Sequence, residues 1–192
     1  MSVFLFDEHP YWSVRSVIEA SLDVIGLCFS YYTYTPQSLI DERTVFSVSR
    51  FDFFNENFIR KMIYNAPIGQ ELAIHSTVAL RSGHCMHLPM IDMSTGSPAQ
   101  LEKVRPVLGE EIFSSFDWYK SGRSYHGYGR YLMGQQEWAT QMGKLLLVNQ
   151  TGLPPTVDPR WVGHRLIAGY AALRWTKNTA HYVDMPRRIH SR

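Results

Sequence analysis

The chain reads as an α+β protein, a central and mostly antiparallel sheet flanked by helices, and three observations lead there. Segments with helical apolar spacing are interspersed with segments of period-two alternation. Pairs of the latter are joined by short Gly-bearing turns, the mark of antiparallel hairpins. The 192 residues are 45% hydrophobic and 14% aromatic, enough to bury a sizeable core.

Taken in order, residues 11 to 25 place Val14, Val17, Ile18, Leu22 and Ile25 at helical spacing. Residues 26 to 35 are rich in aromatics and fit either a strand or a packed loop. Residues 44 to 51 alternate as a strand, and 55 to 64 form a helix that Asn55 caps and Pro67 and Gly69 end. Residues 72 to 80 and 85 to 93 form two strands around the turn "RSGH". Residues 97 to 116 predict one helix, with Ser97 as cap, Pro98 in the first turn and an interior break near Pro106 and Gly109. "FDWYK", the turn "SGRS" and "YHGYGRYLM" make a hairpin, and a helix over 135 to 148 leads into a Gly/Pro loop before "TVDPRW" and "HRLIAGYAALRWT". Composition does not shift along the chain, so a single domain over residues 1 to 192 is expected.

Charge excludes little. Nineteen Lys and Arg against seventeen Asp and Glu leave a formal +2, so nucleic-acid binding has to be argued from a site rather than from overall basicity. The basic end, residues 187 to 192, reads as a solvated tail. The two cysteines, Cys28 and Cys85, exclude a multi-disulfide scaffold. The first residues lack the basic start and apolar run of a signal peptide, and no stretch is apolar enough to span a bilayer. A cytoplasmic protein without a membrane partner is the expectation.

Candidate chemistry gathers at three places. Asp92 closes the apolar run "LPMID", Ser124 and His126 sit in the Gly-rich "SGRSYHGYG", and Asp158 closes "TVD". A carboxylate at a strand end is already aimed, so it loses little entropy on binding a hard cation. Each residue also has a plain structural role open to it: Asp92 as a cap or turn residue, Asp158 as the Asp-Pro turn starter, His126 as a satisfied sheet histidine. The cluster "HCMH", His84 to His87, offers zinc ligands, but its odd offsets send side chains to opposite faces and no second ligand pair follows. Neither a G-x-S-x-G elbow nor a Walker-type loop occurs.

In order and spacing, "MIDMS" (90 to 94), "SYH" (124 to 126) and "VD" (157 to 158) resemble the three motifs of the archaeo-eukaryotic primase superfamily, and "HRLIAGYAALRWT" is similar to the Arg-bearing segment after the third. The resemblance covers a core at residues 72 to 176, and residues 1 to 70 carry no motif of it, leaving a template-binding lobe or a brace for the sheet. It implies an RNA-recognition-like palm and a metal-dependent nucleotidyltransferase acting on a nucleoside triphosphate and a single-stranded DNA or RNA template. Asp92 and Asp158 would be the catalytic acids and, with Ser94, would hold Mg²⁺ or Mn²⁺. Ser124, His126, Arg123, Arg165 and Arg174 would bind the nucleotide, with Gly122, Gly127 and Gly129 letting backbone approach it. Without the resemblance, Arg165 and Arg174 read as strand-surface cations covering aromatics.

One departure stands out. The first motif is ordinarily acid-x-acid, and its second acid is here Ser94. A chain lacking that negative charge also fits a catalytically degenerate member serving as a nucleotide-binding or nucleic-acid-binding subunit, or as a partner-binding module. An unrelated α+β binding module is a third reading. A chain of this size has little surface beyond the core, so an accessory protein subunit is an expected partner.

Overall fold

In the computed structural model, which describes residues 6 to 189, two antiparallel sheets share the work expected of one. The first is built on β1 (Val24–Tyr32), β2 (Arg43–Ser49), β3 (Glu71–Leu80) and β4 (Cys85–His87), in the order β2-β1-β3-β4. The second contains β5 (Met90–Asp92), β6 (Phe116–Ser121), β7 (Ser124–Gly129) and β9 (Arg187–Arg188), in the order β5-β7-β6-β9. A short β8 (Ala172–Arg174) pairs with β3. The aromatic stretch after residue 25 is thus the strand β1.

Helices cover these sheets. The first, α1 (Tyr11–Ala20), buries Tyr11, Val14, Val17 and Ile18, a stripe at helical spacing. Two short helices follow, α2 (Arg50–Phe54) and α3 (Glu56–Tyr64), and the Asn55 side chain accepts from the Phe58 N–H as a cap should. The helix predicted over 97 to 116 is in pieces: a 3-10 turn at Pro98–Val104, then α4 (Arg105–Leu108) and α5 (Glu110–Ser114). Gly109 between them takes φ 88, which no helix accommodates, and Pro106 lacks the N–H to continue one. Next comes α6 (Gln135–Leu147), which buries Trp138, Met142 and Leu145, and then α7 (Pro159–Ala168), which ends where Gly169 turns left-handed. None of the helices among the described residues is long and apolar enough to cross a membrane.

One buried apolar cluster runs from Phe6 to Trp175 and draws on both sheets. The expected strand 85 to 93 is split across them: His87 and Met90 belong to different sheets, with Leu88 and Pro89 between. Proline supplies no N–H to a ladder, so the break falls at Pro89. The tail expected at 187 to 192 begins as a strand, because Arg187 and Arg188 pair with β6 and Arg188 binds Asp117. Its last three residues, and residues 1 to 5, lie outside the described residues.

Candidate functional site

Sheet register brings the separate motifs together. Asp92 on β5 pairs directly with His126 on β7, so both side chains leave the same face, and Ser124, two residues before His126, faces the same way. Past β5, Met93 bridges Val157, and the Asp158 N–H donates to the Asp92 carbonyl at 3.0 Å. Asp158 is therefore locked beside Asp92. It does so as the N-cap of α7, however, and not as the end of a strand: its Oδ1 accepts from the N–H groups of Arg160 and Trp161 at 2.8 and 3.0 Å.

These residues line a cleft of about 500 Å³ that also takes in Ser94, Arg165 and Arg174. Arg165 comes from α7 and Arg174 from β8, and both are buried, at 2% and 4% exposure. The expectation of strand-surface cations therefore fails: Arg165 is helical, and neither lies on the surface. Arg174 donates to Ser121 Oγ at 2.7 Å and to the Thr176 carbonyl, and its guanidinium carbon lies 4.0 Å from the Tyr182 ring centroid. Arg123 is brought no closer than the hairpin turn, where it is exposed and outside the cleft lining.

The cleft's polar groups are poorly satisfied by the protein. Nε and Nη1 of Arg165, Nε of Arg174 and Nδ1 of His126 are buried with no hydrogen-bond partner among the described residues. Buried polar nitrogens left this way cost free energy, and those of the two arginines are donors, so a ligand supplying acceptors is favoured there. Burial, then the nearby Arg43 charge, lower the proton affinity of Arg165, whose ion-pair partner Asp41 is shared with Arg43. His126 Nε2 stands 3.7 Å from Asp92 Oδ1. Burial, then Arg174, hold its pKa well below the usual value, so the imidazole is neutral and the contact is no ion pair. Asp92 has the opposite problem. Burial, then the Asp158 charge, push its carboxyl up to about 8 against the pull of Arg174 and Arg165.

A divalent cation would suit this arrangement. Asp158 commits Oδ1 to the helix and leaves Oδ2 outside those bonds, and Asp92 holds a carboxyl that burial, and then a second charge, have made basic. Among the described residues no cluster of three or more His, Cys, Asp or Glu forms a protein-only cage. One or two carboxylates, with the remaining positions shared by a ligand's phosphate oxygens and water, is how Mg²⁺ is ordinarily held. A second ion is less well served, because Ser94, exposed at the cleft and tied by its N–H to the Thr156 carbonyl, brings no charge.

Part of the cleft was not foreseen. Residues 33 to 43 form one wall, pinned where Asp41 takes Arg43 at 2.9 Å and Arg165 as ion-pair partners and where Arg160 donates to the Ser38 carbonyl at 2.8 Å. Burial pushes the Asp41 carboxyl up, but Arg43 and then Arg165 outweigh it and hold it below its usual value. The Asp41–Arg43 pair is local, but the contacts that seat this wall on the cleft, Arg160 to Ser38 and Arg165 to Asp41, each span more than a hundred residues, and no local pattern in "TYTPQSLIDER" signals them.

The glycines of "SGRSYHGYG" also have a different use from the one expected. Gly122 takes φ 65 in the hairpin turn. A Cβ on Gly127 would sit 2.9 Å from the Trp118 ring and one on Gly129 2.8 Å from Pro89, so both are small to admit packing. Gly127, next to His126 on the strand, faces away from the cleft. The "HCMH" residues bind no common centre: His87 contacts Ser76 and Gln135 and stacks on Trp138 at 4.8 Å, while Cys85 is exposed.

A family model described as AEP-like, archaeo-eukaryotic primase 1D-like, matches residues 51 to 187, more than two thirds of the chain. It takes in every element that supplies the acids, Ser124, His126 and the two buried arginines. A search of the curated proteins finds no significant match.

Proposed function

Because this chain belongs to the archaeo-eukaryotic primase-like family, we propose that its cleft binds a nucleoside triphosphate with a divalent cation and transfers the nucleotidyl group on a single-stranded DNA or RNA template. The observation that carries the reading is the gathering of buried, unpartnered nitrogens, the donors of Arg165 and Arg174 and Nδ1 of His126, around the Asp92 and Asp158 pair. Donors of that kind match phosphate oxygens, and a carboxylate pair matches Mg²⁺ or Mn²⁺.

The roles follow from position. Asp92 and Asp158 would hold the cation. When bound, it would neutralise charge on the phosphates and orient the α-phosphate for in-line attack. Arg165 and Arg174 offset charge on the triphosphate as pyrophosphate leaves, and they are already buried and fixed, so little reorganisation is needed. Ser124 and the neutral His126 donate single hydrogen bonds that set the triphosphate's register. Arg123, on the rim, is assigned to template phosphate. The attacking 3′-hydroxyl comes from a primer or a first nucleotide, and an accessory subunit would supply surface for the template.

Ser94 favours a second reading, nucleotide binding without transfer, since one acid of the first motif is missing. Incorporation of labelled nucleotide on homopolymeric single-stranded DNA with Mn²⁺ separates the two. Product from the wild type and none from Asp92→Asn supports transfer. Cation-dependent binding without product supports the silent form, and neither binding nor product overturns both.

A further inference from the structure

Beyond the phosphate-binding floor, the cleft carries aromatic rings whose use the proposed reaction leaves unassigned. Tyr34, just past β1, stacks on His181 at 4.2 Å between centroids with a 33° tilt, and His181 meets Tyr182 edge-on at 4.8 Å. Tyr182 in turn lies over Arg174 at 4.0 Å and reaches the Tyr32 hydroxyl at 3.3 Å. A continuous run of rings thus leads from a buried cation on the floor to the rim. Burial falls along it: Arg174 is 4% exposed, Tyr182 is half-buried, and Tyr34 and His181 are exposed, Tyr34 at 41%.

That gradient has the polarity of a nucleotide. Charge and unpartnered nitrogens lie at one end, exposed aromatic rings at the other, and all of them line the same cleft. Both rings are held from outside. The loop with Tyr34 is pinned through Ser38 and Asp41, and the segment before His181 is pinned where Glu71 accepts from the N–H groups of Asn178 and Thr179. Rings positioned this way and left exposed offer a π-face at little entropic cost.

We infer that Tyr34 and His181 form a stacking platform for the base of the bound nucleotide. This rests on the proposed triphosphate site and adds to it where the base goes. Stacking needs a π-face and no hydrogen-bond pattern, so the platform adds affinity without selecting among the four bases. Tyr182, between platform and Arg174, is the spacer that sets the distance from base to phosphate.

The test compares a ligand with a base and one without. Mn²⁺-dependent affinities for a nucleoside triphosphate and for inorganic tripolyphosphate are measured on wild type, Tyr34→Ala, Tyr34→Phe and His181→Ala, with thermal unfolding to verify the fold. The expected result is a nucleotide affinity at least about fivefold weaker in Tyr34→Ala, tripolyphosphate affinity unchanged, Tyr34→Phe close to wild type, and the same loss for purine and pyrimidine. Equal loss for both ligands, or no loss for either, overturns the platform. So does a variant that weakens only a short single-stranded oligonucleotide, which would assign the rings to template. Tripolyphosphate that binds as tightly as the nucleotide removes the platform alone. Failure of both ligands to bind wild type removes the phosphate site beneath it.

Discussion

Two strand carboxylates of this protein are treated in opposite ways. Glu71 opens β3 with no exposure, and it accepts from the Thr176 and Thr179 hydroxyls and from the Asn178 and Thr179 N–H groups. Asp92 ends β5 at 23% side-chain exposure, faces a second carboxylate, and receives no hydrogen bond among the described residues. Each solution has its physical cost. A saturated carboxylate fixes its neighbours and has nothing left for a ligand; one left short of donors and next to like charge weakens the fold and favours a cation. Glu71 is a clamp, and Asp92, on the proposed function, is half of a cation site.

Replacing each acid by its amide breaks or sharpens that contrast. Glu71→Gln puts an NH₂ against a ring of donors and lowers stability by about 4 kcal/mol. Asp92→Asn removes a buried carboxyl that a neighbouring charge repels, so it raises stability by on the order of 2 kcal/mol near pH 7, and it abolishes cation-dependent nucleotide binding. Chemical denaturation of both variants checks the pair. Equal destabilisation would make Asp92 a structural residue too.

Two buried histidines belong with the clamp. His9 donates from Nε2 to the Trp175 carbonyl at 3.0 Å and accepts the Tyr11 N–H on Nδ1 at 3.1 Å, an arrangement only the neutral ring satisfies. Burial lowers its pKa to about 4, and burial followed by Arg43 lowers that of His75 to about 3. Below pH 6.5 the unfolded chain binds protons at these sites and the folded one does not. Their stability contribution is thus complete above pH 6.5 and is lost as pH falls towards those values. Between pH 6.5 and 5 the two together cost on the order of 4 kcal/mol, read as a falling melting temperature. A melting temperature flat over that interval contradicts their burial as neutral groups.

The wall of the cleft gives a smaller effect. Asp41→Asn removes the anion shared by Arg43 and Arg165, lowering stability by about 2 kcal/mol. The same change frees both guanidinium groups, so tripolyphosphate affinity rises several-fold; a fall would mean that Asp41 orients Arg165 for the ligand. Smallest is Ser94→Asp, which restores the missing acid and raises Mn²⁺ affinity about tenfold, about 1.4 kcal/mol. Unchanged affinity would put the side chain at 94 outside the cation's reach.

How much of this was legible depended on the range of the interaction concerned. Local signals worked: Asn55 caps its helix, the "SGRS" turn joins β6 to β7, and Gly109 and Pro106 interrupt their helix. Motif order anticipated that Asp92, Asp158, Ser124 and His126 would meet, because register alone aligns them. Asp158 was misassigned to a strand end because "TVDP" serves a bridge and a helix cap at once. The wall at residues 33 to 43, the burial of Arg165 and the rings of Tyr34 and His181 depend on partners far along the chain, which no periodicity encodes. The two-sheet arrangement was hidden in a single proline, Pro89, that reads locally as part of a strand.

The central claim is that the under-satisfied cleft holds a triphosphate and a cation together. Calorimetric titration of a nucleoside triphosphate into wild type and Asp158→Asn, with and without Mn²⁺, tests it most directly. The amide keeps the acceptor that caps α7 and removes only the charge. The account predicts binding to wild type that requires Mn²⁺ and is lost in Asp158→Asn, with both proteins melting alike. Nucleotide affinity independent of Mn²⁺ and of the charge at 158, or no binding to either protein, would contradict it.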